Sequence, residues 1–558
     1  MPRLLALAAC GLCMAWAIAP ALAGETAPTP VAGASAPAAV ASPTFDVMNY
    51  VVEGNSLLSD ETVENAVTPY LGPDKTFKDI EAARAALEKA YQDAGFLSVV
   101  VSLPPQRVDG GDIRLQVVEA PVAKLRITGS QYHLPSKLRQ ALPSLAAGQT
   151  PSFPQVQREL SAAQSADVQL TPLISPGKAP DTIDVEVKVD DKPGVHGSLE
   201  ANSRQSFNTL RGRTEAVLGY NNLFQLGQSI NLSWQYSPRR PSDANTLSVL
   251  YGIPLGAKDD LTLSVTHSNS NTPTGTSLGG ATLTRGTFAG VRWQHTLPTL
   301  GWPVDHYAFA ALNYKDNKDA SVDVGGFTTQ NPTLRYATIA LGYGLRWYGD
   351  KGTLTGFTTS VEGSTGGLSS RQIDCNGVRE DQFACKRASA TPDFLEWKFG
   401  LTHQRSLFDW FGDWQLNAQF NAQLASGPLT SAEQYSIGGV DTVRGYYDYE
   451  QAGDDGWNTR LELVTPAWLK AWDWRSTFLL FWDRGAVHTQ EALSGQLARV
   501  QLGSYGLGWR AAGAHGVEIA WDLAVPVFST TKAASDGSQT TATRRHDVRW
   551  ELSARYAF

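Results

Sequence analysis

Apolar and polar positions follow two textures along this chain, one mixed and one strictly alternating. In the mixed part, Phe45-Asp46-Val47 and Tyr50-Val51-Val52 read as strands, Gly54-Asn55 as a turn, and Ser59-Asp60-Glu61 as the capped start of a short helix. Ile80, Ala83, Leu87 and Tyr91 recur at the spacing that lines one helix face, and Gly95 stops that helix before Phe96. Strands over Leu97–Leu103 and Ile113–Val118 follow, separated by Pro104-Pro105 and Gly110-Gly111. The plan repeats from Pro121. A strand over Ala123–Ile127, a turn at Gly129, helices around Ser136–Leu142 and Phe153–Gln164, and closing strands ending with Thr182–Val189 make a second unit with the same arrangement and little shared sequence.

From Gly194 to the end the pattern becomes alternation. Trp414, Leu416, Ala418, Phe420, Ala422 and Leu424 alternate with Gln415, Asn417, Gln419, Asn421 and Gln423, and Ile230, Leu232, Trp234 and Tyr236 alternate with Ser229, Asn231, Ser233 and Gln235. A soluble sheet with one wet face also alternates. An apolar face this extensive would then need a covering layer, which the sequence does not provide, whereas a membrane barrel with a wet lumen requires the pattern. Counting alternating stretches predicts about 16 strands, an even number of the kind bacterial barrels use. If the first, Val195–Arg204, rises from the inner side, the far-end connections should be long and the near-end ones short. Ser270–Thr284, Lys315–Thr333, Gly363–Pro392, Ala425–Gly456 and Val525–Arg545 are long; Pro254–Asp260, Tyr348–Gly352 and Ala511–Gly516 are short. The last strand carries Val548, Trp550, Leu552, Ala554, Tyr556 and Phe558 outward, so Arg549, Glu551 and Arg555 face the lumen. A lipid-facing charge would cost roughly 2–4 kcal/mol at the bilayer midplane.

The amino terminus changes the compartment. Arg3, the apolar run Leu4–Ala19 and Ala21-Leu22-Ala23 read as a signal peptide over 1–23, so the chain is exported. No later run approaches the roughly 20 apolar residues of a spanning helix. Residues 24–43 are Ala- and Pro-rich and read as a tether. The net charge of -8 argues against a nucleic-acid partner, which would require a basic surface. Cys10 and Cys13 leave with the signal, and Cys375 and Cys385 remain in one far-end loop, where an oxidising compartment favours a disulfide; a metal site would need further ligands. Neither metal-ligand nor nucleotide-phosphate spacing is present, and no cofactor is expected. Gly275-Thr276-Ser277-Leu278-Gly279 satisfies G-x-S-x-G, yet that motif works at a strand-to-helix elbow, and here it lies in a polar outer loop between strands. No catalytic residue is assigned and the chain is not read as an enzyme.

Two stretches carry the remaining chemistry. Phe478, Leu480 and Trp482 face outward on one strand, which turns Phe481 and Asp483 inward, with Gly485 at its end. Gly438-Gly439-Val440-Asp441-Thr442-Val443-Arg444-Gly445-Tyr446 lies in a long far-end loop, and Arg444 can reach Asp483 only if that loop folds into the barrel. Val52-x-Gly54-Asn55-Ser56-Leu57-Leu58 and Asp93-Ala94-Gly95-Phe96 resemble POTRA (polypeptide-transport-associated) domains. Val443-Arg444-Gly445-Tyr446 and Phe481-x-Asp483-x-Gly485 resemble the paired motifs of the superfamily that joins POTRA domains to a 16-stranded outer-membrane barrel. Two POTRA units, Ser198-Leu199-Glu200-Ala201-Asn202 and Pro176-Gly177 are similar to the TpsB transporters of two-partner secretion.

The resemblance implies a mainly β chain: POTRA domains over 44–120 and 121–193, then a transmembrane antiparallel β-barrel over 194–558. It implies an arginine at a lumenal loop tip paired with the aspartate, and Phe558 as a signal read by the barrel-assembly machinery. Many relatives carry a plug helix, for which residues 24–43 are too short and proline-rich. The implied protein is a monomer in the outer membrane of a Gram-negative bacterium, in contact with lipid, its POTRA domains in the periplasm. It passes an unfolded TpsA-type exoprotein, a hemolysin or adhesin, outward without ATP. An assembly factor of the same superfamily is the nearest alternative. A general porin leaves the POTRA repeat unexplained, and a surface hydrolase lacks a nucleophile.

Overall fold

The computed structural model describes residues 44–558, apart from 109, 166, 275–276, 279–282, 319–321, 325–326, 330–332, 376, 408–413, 468, 472, 494–495 and 534–538. The expected signal peptide and tether, and Gly275, Thr276 and Gly279, lie outside the described residues.

The first unit contains β1 (Thr44–Val47), β2 (Asn49–Glu53), α1 (Asp60–Val67), β3 (Gly72–Thr76), α2 (Phe77–Asp93), β4 (Val100–Ser102) and β5 (Asp112–Val118). Its sheet runs β2-β5-β4, with β2 parallel and β4 antiparallel to β5. Ser59 caps α1 by accepting from Thr62 N at 3.3 Å, and Thr76 and Asp79 form a capping box on α2. Ile80, Ala83, Leu87 and Tyr91 are all buried, as their spacing predicts. β3 was not expected: Gly-Pro-Asp-Lys-Thr has no strand pattern and is extended because β1 pairs with it, Thr44 against Thr76 and Phe45 against Lys75. β4 is shorter than the expected Leu97–Leu103, its neighbour Leu97 being exposed and unpaired in the sheet.

The second unit has β6 (Val122–Thr128), α3 (Pro135–Gln140), α4 (Phe153–Ala163), β7 (Val168–Pro176) and β8 (Ile183–Asp191). Its sheet runs β6-β8-β7, again one parallel and one antiparallel pairing, over a core that includes Leu125, Leu142, Val156, Leu170 and Val187. One device recurs in both units. Gly54 (φ +90°) and Gly129 (φ +83°) turn the chain where a Cβ would stand 2.4 Å from Val117 O or 2.5 Å from Val189 O. A carboxylate at the end of the last strand then gathers the amides of that turn. Glu119 accepts from Ser56 N (2.7 Å) and Leu57 N (3.0 Å); Asp191 accepts from the amides of Gln131 (2.9 Å), Tyr132 (2.8 Å) and His133 (2.8 Å).

Sixteen strands then close antiparallel into a barrel. They are β9 (Val195–Asn202), β10 (Arg213–Leu223), β11 (Gln228–Tyr236), β12 (Asn245–Pro254), β13 (Asp259–Thr274) and β14 (Leu283–Thr296). Next come β15 (Val304–Asn317), β16 (Leu334–Tyr348), β17 (Leu354–Ser364), β18 (Phe394–Ser406) and β19 (Gln415–Ala425). The last are β20 (Asp455–Val464), β21 (Trp474–His488), β22 (Arg499–Ala512), β23 (Val517–Pro526) and β24 (Arg549–Ala557). The barrel is inside-out relative to a soluble core: on β16, Leu341 is 62% exposed and Thr338 is 0% exposed. Inward side chains bond one another, as in Ser248 Oγ to Thr266 Oγ1 (2.9 Å) and Ser233 Oγ to Glu215 Oε1 (2.6 Å). β24 closes on β9 from Ser553–Asn202 to Ala557–Ser198, and Phe558 and Gly197 exchange two backbone hydrogen bonds of 3.0 Å. Long connections lie at one end (365–393, 426–454, 527–548) and short ones at the other (255–258, 349–353, 513–516), matching the expected parity.

The first short turn also holds the second unit. Gln225 donates to Tyr132 O (2.9 Å) and accepts from Leu134 N (3.1 Å), while Asn221 Nδ2 donates to Asp167 Oδ2 (2.6 Å).

Burial pushes the Asp191 carboxyl up, but the amides of Gln131, Tyr132 and His133, with the His133 ring 3.2 Å away, outweigh it and hold the group below the usual carboxylate range. Its folded-state pKa is below the unfolded one. The lock is therefore complete above about pH 4 and is lost as the pH falls through the folded value. Asp191→Ala should destabilise the second unit by about 1–3 kcal/mol through amides left without an acceptor. Hydrogen exchange of the full chain checks this: relative to the intrinsic exchange rate at each pH, residues 131–133 should lose protection in the variant, and in the wild type as the pH falls through the folded value.

Candidate functional site in the barrel lumen

Residues 426–454 connect β19 to β20 but turn back into the barrel. Tyr435–Ile437 and Gln451–Gly453 pair as the two arms of this loop. Two glycines reverse the chain at its tip: at Gly438 (φ +114°) and Gly439 (φ +92°) a Cβ would meet Tyr447 O at 2.4 Å and Asp448 Oδ1 at 2.1 Å. Thr442 ties the reversal together, accepting from Gly438 N (2.8 Å) and donating to Gly438 O (3.0 Å).

The tip is seated by packing before charge. Val443 and Tyr446 are buried with Ile437 against Val487 and Leu502 of the barrel wall. Gly485 leaves room for this, since a Cβ there would lie 3.3 Å from Val443 Cγ2. Gly445 (φ +87°) passes β23 closely, where a Cβ would lie 3.1 Å from Ala524 Cβ. The Tyr446 hydroxyl lies 3.0 Å from both Gly503 O and Phe528 O, so its one hydrogen serves either carbonyl, and it accepts from Phe528 N at 3.2 Å.

Arg444 is thereby carried to β20–β23 and is 1% exposed. Its Nε and Nη2 donate to the two oxygens of Asp483 at 2.7 and 2.8 Å, and its own amide donates to Asp483 Oδ2 at 3.1 Å. The guanidinium lies over the Phe481 ring, 3.6 Å from its centroid, and Nη1 is 2.8 Å from Glu462 Oε1 and 3.9 Å from Asp522 Oδ1. Arg460 bonds Glu462 (3.2 Å) and Arg510 bonds Asp522 (2.9 Å), so Arg444, Arg460 and Arg510 face Glu462, Asp483 and Asp522. The structure thus brings Arg444, Phe481, Asp483 and Gly485 together as the sequence proposed, within a wider network than a single pair. Arg460 and Glu462 were missed, although they alternate with outward Leu461 and Leu463 and could have been read as lumenal. Arg510 and Asp522 join through strand register, which periodicity alone does not supply.

Other assigned residues lie elsewhere. Cys375 and Cys385 are joined in the 365–393 connection, with Cα atoms 5.8 Å apart. Phe383 of that connection packs on Tyr336 (5.3 Å) and Phe394 (6.1 Å), and Arg387 makes a two-pronged bond to Asp454 at the base of the lumenal loop, the Nη2 to Oδ2 arm being 2.7 Å. Phe558 stacks on Tyr556 at 6.0 Å on the outward face. Ser277 departs from the expected outer loop: its amide and hydroxyl both donate to lumenal Glu215 at 2.7 Å.

An apolar-outside barrel with a loop returned into its lumen, preceded by an α+β unit, defines an outer-membrane transport protein. The Haemolysin secretion/activation protein ShlB/FhaC/HecB family matches residues 181–511, and the ShlB-type POTRA domain matches residues 45–120. The first match covers more than half of the chain, which belongs to that family. Outer membrane transporter CdiB of Escherichia coli is 24% identical over 444 residues, 75% of this chain and 69% of that protein. Among solved structures, CdiB from Escherichia coli has a TM-score of 0.63 at 17% identity, covering 94% of this chain and 93% of that one. BamA from Haemophilus ducreyi lacking POTRA domains 1-3 has a TM-score of 0.53 at 13% identity, covering 93% of this chain and 100% of that one. These structural likenesses show a shared fold. The chain is an outer-membrane transporter of the two-partner secretion family, with its POTRA region in the periplasm, and the family is one of transporters and not enzymes.

Removing one partner of a buried charge pair typically costs about 3–5 kcal/mol, because the other charge is left uncompensated. Arg444→Ala and Asp483→Ala should each loosen the loop, and the double variant should cost less than the sum of the two. Protease cleavage within residues 435–453 of the detergent-solubilised protein measures this coupling.

Proposed function

We propose that this chain recognises one unfolded exoprotein of the hemolysin or adhesin type in the periplasm and passes it outward through the barrel without ATP. The single observation that carries the reading is the 426–454 loop, held inside the lumen through Arg444 on Asp483. A loop seated by one small apolar cluster and a set of buried polar contacts can leave the wall and return, whereas a pore filled by continuous core packing cannot.

Recognition falls to the α+β units. We take residues 44–120 and 121–193 as two POTRA domains and 194–558 as the barrel. β2 and β4 edge the first sheet, and β6 and β7 edge the second. An extended client segment added to such an edge gains backbone hydrogen bonds that tolerate many sequences, with side-chain pockets setting preference. The lock of Gln225 and Asn221 on the second unit supports a fixed delivery direction toward the barrel mouth. In this reading Val443, Gly445 and Tyr446 seat the loop and Arg444 with Asp483 positions it. The Cys375–Cys385 bridge staples the outer loop that grips Asp454, and Phe558 on the terminal strand is the assembly signal. One chain makes one pore.

Arg444→Ala should leave the barrel in the outer membrane, at wild-type amount and heat-modifiability, while the exoprotein disappears from the medium. Deleting the gene should remove one large exoprotein from the medium and leave other barrels unchanged. A general fall in outer-membrane barrels would instead assign an assembly role, and unchanged secretion by Arg444→Ala would overturn the role of the loop.

A further inference from the structure

Two kinds of periplasmic-end turn occur among the described residues. Residues 349–353 (Gly-Asp-Lys-Gly-Thr) and 513–516 (Gly-Ala-His-Gly) are polar or small, as water-facing turns ordinarily are. The turns after β10 and β12 instead expose Phe224, Leu226 and Leu255, with Phe224 at 73%. Phe224 stands there against its backbone preference. Leu226 N donates to Leu223 O at 3.2 Å, and the two residues between, Phe224 (φ +56°) and Gln225 (φ +59°), are both left-handed. A two-residue turn of this kind favours Asn-Gly, and a bulky side chain at positive φ is strained. Gln225 is explained by its bonds to Tyr132 O and Leu134 N of the second unit. The Phe224 ring, mostly in the open, builds no core, and strain kept at such a position points to use.

The surroundings of these side chains identify what they meet. Tyr220 and Ile230, paired across β10 and β11, belong to the outward columns that carry Leu218, Leu232 and Trp234, and the Phe224 turn joins those columns. Leu255 continues the outward column of Tyr251 and Ile253. Ile253, Leu261 and Trp293 lie in register, and the Trp293 indole donates to Asp259 Oδ1 at 3.0 Å. Tryptophans so placed mark the boundary between bilayer and water. Leu255 lies two residues beyond that level, its amide donating to Asp259 O at 2.8 Å. The apolar face of the barrel thus runs past its own boundary on this arc. Tyr132 and Leu134, both exposed, flank the Gln225 contact from the side of the second unit. We propose that Tyr132 and Leu134, with Phe224, Leu226 and Leu255, enter the headgroup region of the periplasmic leaflet, so that the second unit is seated on phospholipid as well as on the barrel. Phospholipid is the occupant because the patch is continuous with the lipid-facing wall; apolar side chains at such a boundary gain by leaving water. This seating requires that the barrel spans the outer membrane and is independent of what passes through it.

Spin labels on the full-length protein, one chain per phospholipid nanodisc, test the seating. With Cys375 and Cys385 bonded, a single introduced cysteine takes the label, and intact mass confirms one adduct per chain. The ratio of collisions with oxygen, which enters lipid, to collisions with a nickel chelate, which stays in water, reads the depth. Labels at Leu134→Cys, Phe224→Cys and Leu255→Cys should each give a ratio at least about threefold above Ala514→Cys in a polar turn, approaching Leu232→Cys on the lipid face. Combining Leu134→Cys with Phe224→Asn and Leu255→Ser should bring the ratio at 134 down to that at 514, while heat-modifiability stays at the wild-type level; asparagine tolerates the left-handed turn, so the barrel is kept. A ratio at 134 equal to that at 514 in the otherwise unsubstituted chain overturns the seating and leaves the pore reading intact. Water-like ratios at 134 and 224 overturn it too, and loss of the exoprotein from the medium on Phe224→Asn would then assign the patch to the client. A water-like ratio at 232 overturns the placement of the barrel and the seating together.

Discussion

A guanidinium cannot give up its proton in a protein, so Arg444, once out of water, must be met by fixed negative charge. That requirement organises the lumen. Asp483 presents both oxygens to it from β21, Glu462 approaches from β20, Asp522 stands on β23, and Phe481 supplies a ring face. Each neighbour comes from a different position along the barrel wall, so the site exists only when β20 to β23 are in register. The glycines around it serve the same end: Gly485 and Gly445 are places where the loop and the wall come too close for a side chain to stand between them.

The loop that delivers Arg444 touches much of the barrel interior through its own carboxylates. Glu433 reaches the Lys315 site, Asp454 takes Arg387 from the disulfide-stapled connection, and Glu450 accepts from Thr543 at 2.7 Å in the connection after β23. Polar contacts of this kind suit a part that must move. Each is strong enough to hold a geometry in a dry site, and each can be exchanged for water or for a passing chain, which interdigitated apolar packing does not allow. The barrel itself is held differently, by continuous ladders of backbone bonds between neighbouring strands.

In the amino-terminal part the same economy appears in smaller form. The two units share almost no sequence, yet Gly54 with Glu119 and Gly129 with Asp191 perform the same closure. A carboxylate that satisfies two or three amides of a tight turn fixes the exit of β2 or β6 against the end of the last strand. The apolar core can then vary freely around it.

Much of this was legible in the chain itself, because period and parity are local. The spacing of Ile80, Ala83, Leu87 and Tyr91 put them on one buried face of α2, and alternation along β21 set Phe481 and Asp483 on the face opposite Leu480 and Trp482. The lengths of the connections assigned the two ends of the barrel, since long loops and short turns fall on opposite sides whatever the register. What period cannot carry is which inward residues meet. β3 became a strand only because β1 lay beside it, Ser277 turned inward only because Glu215 was there to receive it, and Glu433 found Lys315 across a separation of 118 residues. Alternation assigns a face to each residue, but closure of the barrel and return of the loop decide which charges share a dry site. That pairing belongs to the tertiary structure, because a buried charge is satisfied by whatever lies within a few ångströms, independent of its distance along the chain.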